Sequence, residues 1–343
     1  MRTFTRCVSV FFAFLLVVLL PPPGEVAATN TGDMQLADER NLEGRLIVLN
    51  AGSLTAPFAD LLKEFARLHP AVIPQQESAG SLDLARKITE LGKPCDVLAV
   101  ADYEVIPSLL VPRYADWYGI FARNQMVLMY TSSSKFSAEI KSDNWYEIVQ
   151  RPGVQSGHSD PDADPAGYRT LLLWQLAEKY YGKPGLYTQL DKTVPPKNTR
   201  PKSVELVALL QAGELDYIYG YRSVAEQSKL PFVALPPEID LSDVGKADLY
   251  SSVSVQVAGS KPGEKKAIQG LPILFALTIP KGATQPKLAE EFIRFLLSPQ
   301  GQEIMQRRYL TLISPPMASA IERVPASLRA SFVPFVKDAG NRQ

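Results

Sequence analysis

The sequence contains only two cysteines and two histidines in 343 residues, and that scarcity narrows its chemistry. Cys7 lies in an N-terminal apolar stretch, so if that stretch is cleaved Cys95 stands alone and no internal disulfide can form. A nucleophilic Cys95 would need His69 or His158 as its base; a buried free thiol is the simpler reading. Net charge is also lacking, with 36 basic and 36 acidic side chains. A nucleic-acid binder would carry a basic stripe. The apolar stretch from Cys7 to Leu20 is too short for a comfortable membrane span. No G-x-S-x-G elbow, H-E-x-x-H pair or phosphate-binding loop occurs. Ser132-Ser133-Ser134-Lys135 fits S-x-x-K, but it has no K-T-G or S-D-N partner and lies in a serine-rich turn. The chain is not read as an enzyme, and a serine hydrolase is the weakest alternative.

What is present begins with an export signal. Arg2 and Arg6 precede the apolar stretch, and Pro21-Pro22-Pro23-Gly24 and Val26-Ala27-Ala28 follow it. This reads as a cleaved signal peptide over residues 1–28, which places the mature protein in the periplasm or outside the cell. No small-residue-Cys box follows, which argues against lipid attachment. Residues 29–44 read as a disordered leader. An exported chain without disulfides must rely on its core, and about 300 residues suffice for one or two full-sized domains.

From there strands and helices alternate. Strands are expected near 45–50, 72–77 and 96–100, with helices near 54–68, 81–91 and 103–110 between and after them. Such alternation argues for a parallel, doubly wound α/β sheet. A long extended segment, Trp117 to Tyr130, leads into a second α/β region. Its helices are expected near 144–149, 165–181, 201–212 and 221–228, and its strands near 154–157, 216–219 and 232–234. A late strand over 271–279 returns, and helices near 286–297 and 299–308 close the fold. One long strand out and another back fit two lobes joined by two crossing strands, closing by hinge motion over a ligand. The expected limits are 45–123 with 273–325 for the first lobe, 124–272 for the second, and 326–343 for a C-terminal tail.

The strand–helix joints of the first lobe share a feature. "AGSL" at 51–54, "SAGSL" at 78–82 and "VADY" at 100–103 each put small or short polar residues where a helix begins. Free N–H groups there favour an anion, and glycines at 52 and 80 would let one approach. Ser53 and Ser81 either donate hydroxyls to it or merely cap their helices. Pro57 belongs in an opening turn and could move the first cap to Thr55. Neither joint carries lysine or arginine, so neutral donors are expected.

The stretches "AGSLTAPF", "AGSLDLARKITELGKPCDVLAVADYEVIP", "YADWYGIFARNQMVLMYT", "NWYEIVQRP", "DPAGYR" and "RPKSVELVALLQAGELDY…YRSVA" resemble the archaeal-type tungstate/molybdate-binding proteins. These are the periplasmic components of ABC importers, related to bacterial molybdate-binding proteins. The likeness runs from about 46 to 315. It implies a two-lobed, type II periplasmic-binding fold and a tetrahedral oxyanion held by hydroxyls and amides. It also implies the importer's membrane subunits as partners, a monomer, and no cofactor beyond the bound oxyanion. Sulfate, phosphate or a small organic anion is the alternative ligand. Carried over by position, the contacts fall on Ser53, Ser81, Asp164 and Tyr221, with Gly52, Gly80 and Gly220 beside them.

This chain departs from that pattern twice. Gly220 stands where the family typically has glutamate, and Val100 where it often has serine. Asp164 either ligates the metal centre of the anion or caps the helix that Pro165 opens. Asp160, Asp162 and Asp164 do not make a calcium loop, because Pro165 and Leu171 hold its glycine and glutamate positions. Tyr217, Tyr219 and Tyr221 alternate as a strand would.

Overall fold

A computed structural model describes residues 42–259 and 263–335. The expected signal segment, residues 29–41 of the expected leader and residues 336–343 of the expected tail lie outside them. Along the chain, β1 (Gly44–Ala51), β2 (Val72–Ala79), β3 (Val97–Val100) and β4 (Gly119–Arg123) come first. Next are β5 (Met126–Tyr130), β6 (Ser156–Ser159), β7 (Thr199–Arg200), β8 (Tyr217–Tyr221) and β9 (Phe232–Ala234). A hairpin of β10 (Ser254–Ala258) and β11 (Lys265–Gln269) precedes β12 (Leu274–Thr278), β13 (Thr311–Ala318) and β14 (Val333–Pro334). The helices that matter below are α1 (Thr55–Leu68), α2 (Ser81–Thr89), α3 (Pro165–Tyr180), α4 (Ser203–Gln211), α5 (Pro286–Leu297) and α6 (Pro299–Arg307).

Two sheets give two lobes. The seven-stranded sheet runs β14-β13-β4-β12-β3-β1-β2, and the five-stranded sheet β7-β6-β8-β5-β9. The expected extended segment, 117–130, breaks at Asn124-Gln125 into β4 in one sheet and β5 in the other. The return path runs beside it, where Asn124 N–H donates to the Ile273 carbonyl at 3.1 Å. These paired crossings are the hinge.

The sheets are mixed rather than parallel. β1 pairs in parallel with β2 and β3, but β12 runs antiparallel to β3 and β4, and β13 antiparallel to β4. In the second lobe β5 is antiparallel to both β8 and β9. A chain that leaves a lobe and comes back inserts its returning strand against the local direction, which alternation alone does not reveal. Further elements differ from expectation. Gly44, placed in the leader, starts β1, residues 326–335 carry a short helix and β14, and neither the β10–β11 hairpin nor β13 was expected.

The core follows from the apolar spacing. Phe58, Leu61, Leu62 and Phe65 form the buried face of α1. Phe58 meets Phe121 of β4 at 6.5 Å between ring centroids, and Phe65 meets Phe292 of α5 at 5.4 Å. The C-terminal helices therefore seal the first lobe, as the late strand and two helices imply. Cys95 is buried and unbonded, and burial pushes its thiol far above the ordinary range.

Candidate functional site

The joints of the first lobe lie side by side because β1 and β2 are in register, with Ala51 opposite Ala79. Buried Asn50 locks the pair: its Nδ2 donates to Ser78 Oγ at 3.0 Å, and Gln76 Nε2 donates back to Asn50 Oδ1 at 2.9 Å. Gly52–Leu54 form a single 3₁₀ turn before α1, and Thr55 Oγ1 donates to the Gly52 carbonyl at 2.7 Å. Ser53 is therefore not a cap. Its Oγ is buried and, among the described residues, has no hydrogen-bond partner. A methyl added at buried Gly52 would meet no atom within 4 Å. There is room beside these two residues.

Ser81 does not cap α2 either, since Gly80 holds that position. Ser81 Oγ accepts from the Ala101 N–H at 3.0 Å. An amide can only donate, so the Ser81 hydroxyl proton stays free for another acceptor. Tyr221 repeats the logic. Arg169 Nη1 donates to the Tyr221 hydroxyl at 2.6 Å, and a guanidinium has no acceptor, so the tyrosine proton is also available. Burial raises the Tyr221 pKa far out of the working range, so the hydroxyl stays protonated. Three hydroxyls, Ser53, Ser81 and Tyr221, thus keep donors to spare.

The lobes touch at this point. An ideal Cβ at Gly80 would lie 2.1 Å from the Ala163 carbonyl oxygen of the second lobe. The Gly52–Leu54 turn lies against α4, whose first residue, Ser203, approaches Asp164. Asp164 caps α3, its Oδ1 accepting from Ala166 N–H at 3.1 Å. Its Oδ2 accepts from both Ser203 Oγ at 2.7 Å and Ser203 N–H at 3.2 Å. Burial raises the Asp164 pKa, against the lowering effect of those bonds.

Arg169 and Ser203 escape the sequence reading, and both are central. Arg169 is 2 % exposed, donates to the Ala101 carbonyl at 2.6 Å and pairs with Asp102 at 3.3 Å. Tyr168 also donates to Asp102. Burial works against the Arg169 charge, but Tyr221 and Asp102 outweigh it and hold its pKa up. The expectation of purely neutral donors needs this correction: a cation is buried at the site, with its charge matched by Asp102. "AGYR" contains the signal, since Arg169 lies five positions after Asp164 near the start of α3.

The other residues singled out in the sequence fall elsewhere. Tyr217 and Tyr219 are buried in packing, Tyr219 against Trp174 at 5.3 Å between ring centroids. Gly220 is buried, and an ideal Cβ there would meet only Met129 Cε, at 2.6 Å. Val100 is a buried β3 residue. Lys135 of the S-x-x-K match pairs with Asp216 at 3.2 Å and donates to the Gly153 carbonyl at 2.7 Å. Its ammonium is therefore not free to act as a base for the serines.

Comparison with known proteins gives relatives in sequence and in fold. A solute-binding protein of Petrotoga mobilis, itself uncharacterized, is 46 % identical over 310 residues, covering 90 % of this chain and 95 % of its own. The molybdate/tungstate-binding protein WtpA of Pyrococcus abyssi is 41 % identical over 300 residues, covering 80 % and 86 %. Among solved structures, the periplasmic molybdate-binding protein of Azotobacter vinelandii superposes with a TM-score of 0.57 at 16 % identity, over 78 % of this chain and 99 % of that one. The sulfate-binding protein of Mycobacterium tuberculosis gives 0.58 at 13 % identity, over 80 % and 88 %. These two share the two-lobed fold. Residues 46–309 match the bacterial extracellular solute-binding proteins, and this chain belongs to that family.

Proposed function

We propose that the chain captures molybdate or tungstate between its lobes and delivers it to the membrane subunits of an ABC importer. The observation that carries this is Ser53 Oγ, buried without a partner beside the room at Gly52. Ser81 and Tyr221 hydroxyls, each with a proton to donate, complete a donor set that suits an oxyanion. Hydrogen bonds to a charged acceptor are about twice as strong as neutral ones. Binding is non-catalytic, by a monomer exported through the signal peptide at 1–28. The distribution of strands supports a second lobe over 124–272 and a first lobe over 45–123 with 273–325, extended to Gly44 by the start of β1 and to Pro334 by β14. The names of the relatives support the ligand class.

Ser53→Ala separates donor from scaffold. Folding stability should stay within about 0.5 kcal/mol of wild type, because no partner is lost. Anion binding should weaken by roughly 1–3 kcal/mol. Paired denaturation and binding titrations read both, and a stability loss with intact affinity would contradict the assignment.

Geometry at the anion follows from Gly220 and Asp164. Side chains alternate along β8, so position 220 faces away from Tyr221, and Met129 Cε fills the space there. The Asp164 carboxylate is engaged as the cap of α3 and as the acceptor for Ser203. The anion is therefore held by its four oxygens. X-ray absorption of the tungstate complex should report tetrahedral tungsten, whereas two added protein oxygens would refute this geometry.

A further inference from the structure

The seam between the lobes is held outside the cleft as well. The second lobe carries the hairpin β10–β11: Gln175 Nε2 and Lys179 Nζ of α3 donate to the carbonyls of Ser254 and Ser252, both at 2.9 Å. Buried Val257 of the hairpin faces the first lobe. With Ile268 it lines a small pocket of about 30 Å³ against Leu82, Val105 and Leu109. The hairpin thus lies against the first lobe across this pocket.

Arg86 of α2 fastens this contact. Its Nη1 donates to the Asp162 carbonyl and its Nη2 to the Ala258 carbonyl, each at 2.8 Å. The Asp162 carboxylate accepts from the Ala258 N–H at 2.6 Å, so the two second-lobe segments are already tied to each other. A planar guanidinium fork suits two such carbonyls, as an ammonium does not. Within its own lobe, its acidic neighbour Asp83 is only at 4.0 Å.

We propose that Arg86, with the hairpin, is a clasp that sets how long the lobes stay closed and hence the residence time of the captured anion. The residence-time part rests on the oxyanion reading of the cleft. Both bonds cross the lobe boundary, so they exist only in the closed form and bias opening by their own strength. The open form meets its ligand without them. Their loss therefore appears in dissociation rather than association. Arg86 is a positioning residue and touches none of the three available hydroxyls.

The test compares wild type with Arg86→Gln, Arg86→Ala and Arg86→Lys in two measurements. Release of radiolabelled molybdate into excess unlabelled tungstate gives the dissociation rate. Electron-spin distance measurement between labels on exposed Leu91→Cys and Glu214→Cys gives lobe separation, with and without molybdate. Release should quicken about tenfold to a hundredfold in the Gln and Ala variants, the range expected for bonds to a charged donor. Association should stay near wild type, Arg86→Lys should fall between, and the distances should shift longer. Unchanged release with unchanged distances overturns the clasp. If the wild type binds neither anion, the oxyanion reading fails on its own. The unliganded distances then decide, and variants no more open than wild type refute the clasp.

Discussion

Replacing Gly80 with alanine should cost roughly 1–3 kcal/mol of anion affinity, the usual penalty of overpacking, while unliganded stability changes much less. The new methyl would sit 2.1 Å from the Ala163 carbonyl oxygen. That oxygen is backbone, capped in place by the turn that leads into α3, so it cannot swing aside as a side chain would. The conflict disappears when the lobes separate. The penalty therefore falls on the closed form, and closing is what binding requires. Gly52→Ala makes the contrast: its methyl meets nothing in the protein, so any loss of affinity there reports competition with the anion itself. Calorimetry and urea unfolding on both variants check this. A Gly80→Ala chain with wild-type affinity would mean that the lobes do not close at this contact.

Arg169→Met should be the most damaging single change to the closed form, at about 3–5 kcal/mol, the cost of breaking a buried ion pair from one side, because Arg169 of the second lobe meets Ala101 and Asp102 of the first. Asp102, 5 % exposed, would be left buried with its cation gone. The Ala101 carbonyl and the Tyr221 hydroxyl would each lose a donor as well. Adding Asp102→Leu should recover much of the loss, because neither charge then remains buried. Urea titration of the three chains with molybdate bound, the form in which the lobes meet, measures it. A loss under about 1 kcal/mol in the single variant would show that Asp102 is solvated.

Sequence periodicity located the helices well. The apolar spacing of Phe58, Leu61, Leu62 and Phe65 gave α1, and His69-Pro70 gave its end. Gly52, Ser53, Gly80 and Ser81 stood out because small residues recur at the strand–helix joints, where they can either cap the helices or admit an anion. The hairpin was harder. Ser254–Ala258 alternates exposed and buried positions, but Lys265-Lys266 and Gln269 make β11 look like solvated loop. β13 was hidden by Pro315-Pro316, which lack N–H groups; the strand accommodates them in an irregularity between Leu312 and Met317. Arg169 was present in "AGYR", but its role was not legible there because its partners, Ala101 and Tyr221, come from distant parts of the chain and meet it only in the folded protein. Ser203 looked like an ordinary helix start until Asp164, 39 positions earlier, closed on it.

The claim that the cleft holds a large tetrahedral oxyanion is met most directly by titration calorimetry. The mature chain, stripped of ligand by unfolding and refolding, would be titrated with molybdate, tungstate and sulfate in turn. The account predicts one site per chain, tight for molybdate and tungstate and clearly weaker for the smaller sulfate. No heat with any of the three would contradict it, and sulfate binding as tightly as tungstate would move the function to a different anion.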